Sequence, residues 1–441
     1  MKSNRRSKTC LRCFTCGILA VSGSVPAEPV VVRGEQVPLL LGIPVNNIRL
    51  CDRTGKPLPV QVDEVTDENE YVCDRGEEAN GPAGNGILDA QDEIVFMYED
   101  CTPCPGRDDE RKNGADGAAS GRIPVRVRSG SLCREAYLSG DASHPVCTLA
   151  YLSYDHSTQQ LTTPWYYARF APDRFHFVNA GIRTPEGDGW VDLTRELRIE
   201  ILIRALWGLL AVHYTEDNLV CYVKRYKAGP IRLIRRGDLH LRIGAGIRGG
   251  RAAVNQLCYP TMVSVPVSIH LPVRFRNFFR EAYLEMTPVV DHGGKEYTFS
   301  VPGCGVDQAI EGTGRVDTLY PCVLNSHPFT LLRGSQGLGW IVRSDIPDSS
   351  GVESGFIFHR PSQRGGLSDC GYRLMIRDVP RGRYTVTNRV LFTRPGSGDI
   401  GSEFKMLIDR ASVRCGNRTT VNRLTDVLVP VSKGRGSREN P

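Results

Sequence analysis

Residues 84–98, GNGILDAQDEIVFMY, set Asn85, Asp89, Asp92 and Glu93 behind a glycine turn and ahead of an apolar run. Oxygen-bearing side chains at this spacing fit three kinds of chemistry: a calcium loop, half of an acid/base site, or a turn that launches a strand. Asn85-Gly86 would supply a ligand and a sharp turn, Leu88 the apolar position, and Asp89 and Asp92 later ligands. The first two ligand positions of a regular EF-hand loop then fall at Gly81 and Ala83, which carry no side-chain oxygen, so that loop is excluded. An irregular site stays open if Asp74, Glu77 or Glu78 folds back, because calcium accepts about six to eight oxygens in loose geometry. The competing and stronger reading is an Asn-Gly turn whose acids stay in water. Ile94 and Phe96 then face one side of a core strand, and Val95 and Met97 the other. Calcium is the one cofactor the sequence points to, with Asn85, Asp89, Asp92 and Glu93 as its ligands.

A second candidate is basic. In YKAGPIRLIRR, residues 226–236, Gly229-Pro230 makes a tight turn, and the strand after it places Arg232, Ile234 and Arg236 on one face with Leu233 and Arg235 on the other. Two arginines on one strand face can hold a carboxylate or phosphate through paired hydrogen bonds, which makes Arg232, Arg235 and Arg236 the candidate ligand-binding residues. The same arginines can equally pair with nearby acids or face water, and a structural role is favoured.

The remaining motifs are weaker. Cys101-Thr102-Pro103-Cys104 lacks the histidine of a haem attachment site, the βαβ setting of a redox pair and the second close pair of a zinc knuckle, leaving a structural bridge or free thiols. Gly244-Ala245-Gly246-Ile247-Arg248-Gly249 matches a dinucleotide fingerprint on paper, but no helix is expected after it to meet a pyrophosphate. None of the nine histidines sits at a metal-ligand spacing, and no catalytic triad can be nominated without spatial pairing.

The elements that must position these groups read as strands. Runs at Val30–Val32, Val37–Ile43, Ile48–Cys51 and Leu58–Glu64 predict a small N-terminal β domain, resumed at Arg122–Arg128. Leu197–Ile201, Leu209–Tyr214, Leu219–Tyr226, Ile231–Arg236 and Leu239–Ile243, spaced near ten residues apart with turn residues between, predict an antiparallel meander. Later strands are expected at 261–271, 282–286, 340–343, 355–359, 372–376, 384–392 and 404–408. The fold class is therefore all-β: a large antiparallel β-sandwich over 131–415, preceded by a smaller β domain over 28–130 that carries an acidic loop, and followed by a polar tail over 416–441.

Residues 1–27 read as an export signal: Lys2, Arg5, Arg6 and Lys8 are followed by a mostly apolar run from Cys13 to Val21 and a small-residue cleavage site ending at Ala27. The run falls short of the ~20 residues that span a bilayer, so no transmembrane segment is expected in the mature chain. Three of the 15 cysteines leave with the signal, and the even remainder suits bridges in an oxidising compartment, periplasmic or extracellular. Between Gln61 and Glu110 there are 16 Asp and Glu against two Arg, an acidic insert in a chain of net charge +6. The basic residues elsewhere do not interleave with aromatics, which excludes nucleic acid as a partner.

The stretch IRLCDRTGKPLPVQVDEV followed by GNGILDAQDEIVFM resembles exported bacterial β-sandwich proteins of unknown function, and its order of strand, turn and acidic run is similar to the start of some polysaccharide-lyase-like proteins. YKAGPIRLIRR is similar to a recurrent element of such sandwiches. The likeness covers about 80 residues and describes turns and strands, so it implies fold and location and carries over no catalytic residue. The expectation is an exported protein that binds extracellular carbohydrate. Two alternatives stand beside it. One is a lyase or epimerase-like enzyme using His and Tyr, with Arg neutralising a uronate carboxylate. The other is a structural or assembly partner of an envelope protein.

Overall fold

The computed structural model describes residues 28–104, 121–129 and 132–393 apart from short internal stretches, the longest 321–328, together with the backbone of 412–415 and 418–421. The expected leader, the charged loop 107–120, part of Gly244–Gly249 and the strand at 404–408 lie outside the described residues. Within them the chain is nearly all β, and helix is confined to three-residue 3-10 turns.

Two large antiparallel sheets stack face to face. One has ten strands, in the order Thr318–Tyr320, Val352–His359, Leu367–Ile376, Phe279–Asp291, Trp190–Ala205, Phe177–Arg183, Tyr166–Phe170, Gln160–Thr162 and Ser153–Asp155, with Leu210–Thr215 also paired to Trp190–Ala205. The other has nine, running from Leu219–Ala228 and Leu233–Arg242 through Gly382–Phe392 to Val306–Ile310. Period-two alternation sends Tyr166, Ala168 and Phe170 of the first sheet and Leu233, Val263 and Trp340 of the second into one shared core.

The N-terminal part forms a smaller sandwich. Pro29–Arg33, Glu93–Met97 and Gln61–Asp63 make a three-stranded sheet whose Val30, Val32, Ile94 and Phe96 pack against Ile123, Val125, Val127, Ala136 and Leu138 of a seven-stranded sheet. All five residues of Glu93–Met97 are buried. Ile94 and Phe96 enter the small core, while Val95 and Met97 join Ile234, Leu257 and Met262 of the nine-stranded sheet, and Ile231 just before it, in a second core. That strand is the lamina between the two sandwiches.

Several boundaries differ from the sequence reading. Val37–Ile43 is not a strand: it winds into the turn Pro38–Leu40 and reaches Gly42 at φ +81°, because Pro38 cannot donate to a ladder. The expected runs Ile231–Arg236 and Leu239–Ile243 merge into one strand, Leu233–Arg242, which begins after Arg232. Gly237 does not break it; a Cβ there would meet the Cys221 sulfur and the Tyr222 oxygen at 2.7 Å, so the glycine permits close approach. The meander also changes sheets at the turn Glu216–Asn218, since Leu210–Thr215 belongs to the ten-stranded sheet and Leu219–Ala228 to the nine-stranded one. Residue 130 separates the paired strands Ile123–Ser129 and Leu132–Ser139, and the chain returns at Ser412–Cys415 to pair with Ile123–Ser129. Arg418–Val421, within the stretch expected as a tail, extends the same sheet.

Candidate functional site

The four acidic-stretch residues are placed by one turn but point to different partners. Asn85 donates to Asp89 at 2.7 Å and accepts from the Ile87 amide at 2.9 Å. Asp92 turns inward and caps two backbone amides, Val65 and Asp89, each at 2.7 Å. Burial pushes its carboxyl up to about 6 despite those bonds. Glu93 lies on the opposite side of the strand register, accepting from the Tyr71 hydroxyl at 3.0 Å and from Arg232. Among the described residues no three His, Cys, Asp or Glu side chains converge as a metal site.

Arg232, Ile234 and Arg236 face the N-terminal sandwich, as the alternation requires. Arg232 is fully buried, with its Nε 2.7 Å from Asp63, one terminal nitrogen 2.6 Å from Glu93 and the other donating to the Tyr259 hydroxyl at 3.0 Å. Lys227 contacts the second Asp63 oxygen at 2.9 Å, and Gln61 bridges Asp63 to the backbone of Ile231 and Arg232. Two cations and two carboxylates thus balance in charge, with Arg232, Asp63 and Glu93 buried and Lys227 partly exposed at the edge. Burial alone would raise the Asp63 carboxyl, but Arg232 and then Lys227 hold it below its usual range. Arg236 reaches Glu70 at 2.5 Å, and Arg225 pairs with the same carboxylate. Arg235 points into the large core. It lies 3.9 Å from the Phe170 ring centroid and bonds the side-chain oxygens of Gln256 and Gln159. The three arginines therefore do not share one surface, and the acidic insert supplies the partners of Arg232 and Arg236.

Cys104 is bridged to Cys133, while Cys101 is a buried thiol that burial pushes far above its ordinary range. The C-x-x-C pair is thus split between two fates.

A cleft of 530 Å³ opens beside the network, lined by Arg49, Gln61, Glu64, Asp74 and Lys227 together with apolar groups such as Val60 and Val146. Glu64 and Asp74 come from the acidic insert, and Lys227 from the start of the Gly-Pro turn.

The outward face of the ten-stranded sheet carries groups that the sequence reading did not single out. Tyr167 lies across Gly181, where a Cβ would meet its ring at 2.5 Å. Its hydroxyl donates to Asp192, and its ring stands edge-on to Trp190 with centroids 5.3 Å apart. The Arg183 guanidinium sits 5.5 Å over the Trp190 ring, and Trp190 remains 38% exposed. Burial and then the bond to Asp192 push the Tyr167 hydroxyl well above its ordinary range. The buried Asn179 Oδ1 alongside has no hydrogen-bond partner among the described residues. Farther along the strand Trp190–Ala205, Glu200 pairs in register with Glu285, and Leu202 with both Tyr283 and His213. Arg373 binds Glu285 at 2.5 Å and lies 4.8 Å from the Tyr283 ring centroid, while His213 is 3.5 Å from Glu200. The available signal was the alternation of YYARF at 166–170, which turns Tyr167 outward while Tyr166, Ala168 and Phe170 fill the core.

No protein-family model matches the chain. No curated protein matches it. Among solved structures, an alpha-mannosidase from Enterococcus faecalis V583 aligns over 90% of this chain and 45% of its own at 8% identity, with a TM-score of 0.46. A galactose mutarotase-like protein from Clostridium acetobutylicum aligns over 55% of this chain and 98% of its own at 7% identity, TM-score 0.34. A polysaccharide lyase aligns over 57% and 37% at 11% identity, TM-score 0.27. The chain spans less than half the length of the mannosidase. All three are similar to it only weakly.

Proposed function

We propose that the protein is an exported β-sandwich that binds an extracellular polysaccharide along the outward face of its ten-stranded sheet and does not catalyse a reaction on it. The exposed Trp190, braced edge-on by Tyr167 and flanked by Arg183 and Asp192, is the observation that supports this reading. An indole offers a flat apolar surface to the C–H face of a sugar ring, and a carboxylate and a guanidinium beside it can take hydroxyl and uronate groups. From Asp192 to Glu200 the strand carries two bulges and advances six register positions against its neighbours, roughly 20 Å at ~3.3 Å per position, so two clusters on one face suit a chain of sugars better than a single one. The basic, apolar and small-residue order of residues 1–27 supports export, and the Cys104–Cys133 bridge is compatible with an oxidising compartment.

Affinity electrophoresis of the purified protein in gels cast with neutral and uronate polysaccharides tests the proposal. Retardation by at least one polymer, lost in Trp190→Ala and kept in a distant surface variant such as Leu39→Ser, is the expected result. Mobility unchanged by every polymer would end it.

A carbohydrate-active enzyme is the second reading, and the register of Glu200 opposite Glu285 favours it. Burial, followed by the charge of Glu285, raises the Tyr283 hydroxyl, and Arg373, which pairs with Glu285, would have to share its guanidinium with a substrate carboxylate. Release of unsaturated or reducing ends from a retained polymer, abolished in Tyr283→Phe, would move the protein into that class.

A further inference from the structure

One end of the large sandwich carries an apolar tip ringed by positive charge. The hairpin turn Leu206–Gly208 joins Trp190–Ala205 to Leu210–Thr215, and it leaves Leu206 at 52%, Leu209 at 87% and Leu210 at 49% exposure. Leu206 holds φ +47°, a left-handed conformation that glycine or asparagine adopts far more readily than leucine. The fold alone does not call for an aliphatic side chain there. The neighbouring turn presents Val273 at 40% and Phe278 at 54% exposure, and the Leu206 amide donates to the Phe278 carbonyl at 3.0 Å, which locks the two tips side by side.

The charge around this tip is net positive. Residues 205–210 contain no charged group, while 273–281 and 377–381 hold five arginines against Glu281 and Asp378. Arg274 pairs with Asp378, Arg377 with Glu353 and Arg204 with Glu281, so these acids are already matched, and Arg276, Arg280 and Arg381 supply the surplus. The Phe275 amide bonds the Val379 carbonyl at 2.9 Å, and Arg274 bonds Asp378 at 2.7 Å, so the two basic turns adjoin. An Arg280 nitrogen lies 3.3 Å from where a Cβ on Gly208 would stand, which brings the guanidinium beside the leucine turn. Arg276, Arg280 and Arg381 are exposed.

We infer that this end of the sandwich docks on an anionic lipid bilayer, with Leu206, Leu209 and Phe278 entering the headgroup region and the arginines binding lipid phosphates. Contiguous apolar side chains in water are disfavoured unless something covers them. A surface that is apolar at the apex and cationic around the rim matches the order of layers in an anionic membrane, acyl chains within and phosphates at the interface. A soluble protein partner more commonly meets an apolar patch with a balanced polar rim, and here the acids of the rim are already paired within the protein, so the surplus charge that faces outward is positive. This inference is independent of the polysaccharide reading, because the two surfaces use different residues.

The test is co-sedimentation of the full chain with vesicles of phosphatidylcholine alone and of phosphatidylcholine with about 30% phosphatidylglycerol. Binding is expected to the anionic vesicles, with about tenfold weaker affinity for Leu209→Ser with Phe278→Ser, and again for Arg276→Glu with Arg280→Glu. Raising the salt to about 0.5 M should weaken wild-type binding. All the substituted side chains are exposed, so an unchanged melting temperature confirms that the variants fold, and Trp190→Ala should bind vesicles as wild type. Absence of binding to anionic vesicles, or equal binding by both double variants, overturns the inference. So does a dimer in light scattering that Leu209→Ser dissolves while no vesicle is bound, which would assign the tip to self-association.

Discussion

Glu93 and Arg232, 139 positions apart in the chain, meet at 2.6 Å in the interior. Each comes from a stretch whose chemistry stands out in the sequence, the acidic turn-and-strand and the strand after Gly-Pro. The contact joins the small sandwich to the large one. Its partners Asp63, Lys227 and Gln61 close the charge and hydrogen-bond balance, so the acidic insert serves in part as the counter-surface for a basic strand.

Removing the cation should expose that balance. Arg232→Ala leaves Asp63 and Glu93 buried without their main partner and is expected to cost about 3–5 kcal/mol in urea unfolding. Arg232→Met combined with Asp63→Leu and Glu93→Met should recover a large part of the loss, since buried pairs are often replaceable by apolar groups. A loss under ~1 kcal/mol for Arg232→Ala would show that the pair is not held as described.

The same network sets an acid limit. The Asp63 carboxyl is depressed in the folded state, so its contribution is present above the unfolded value near ~3.9 and disappears as pH falls through the lower folded value. Acid unfolding followed by circular dichroism should show a shallower loss of stability below about pH 4 for Asp63→Asn than for wild type, from a lower starting stability.

Asp92 behaves in the opposite sense. Its folded value is raised to about 6, so its contribution is complete below the unfolded value and is lost as pH rises through the folded one. Between roughly pH 4 and 6 wild type should lose stability that Asp92→Asn retains. Both Asp92 oxygens already accept backbone amides, so the geometry predicts no change in melting temperature when calcium or a chelator is added. A rise with calcium would establish an irregular site at Asn85, Asp89 and Asp92.

The Cys104–Cys133 bridge closes a loop with sequence separation 29. Cys104→Ser should lower stability by about 3–4 kcal/mol if chain entropy governs the effect. Under native conditions iodoacetamide should modify Cys147 first among the described free thiols, because Cys51, Cys73, Cys101, Cys221 and Cys258 are buried. Mass mapping of the alkylated peptides reads this directly.

The strands were largely legible because alternation survives wherever one face is buried. The faces of 232–236 and of 94–97 were read correctly from period two alone, since that pattern is local. Glycine and proline were harder. Gly237 signals a break in sequence yet sits inside a strand that needs close approach, and Val37–Ile43 looks like a strand until Pro38 and Gly42 force turns. The outward platform was missed for a different reason. Tyr167, Gly181 and Trp190 meet only across three strands, and no local spacing announces a register.

The return of Ser412–Cys415 to Ile123–Ser129 has a consequence for synthesis. Ile123–Ser129 lacks its second neighbour until residues 412–415 are made, so it waits as an open edge while some 280 further residues, the large sandwich among them, leave the ribosome. A nascent chain in that condition is a client for holding factors, and a message truncated before residue 412 should yield a product that self-associates through that edge. Biogenesis, rather than the stability of the finished molecule, is where the order of elements in this chain exacts its toll.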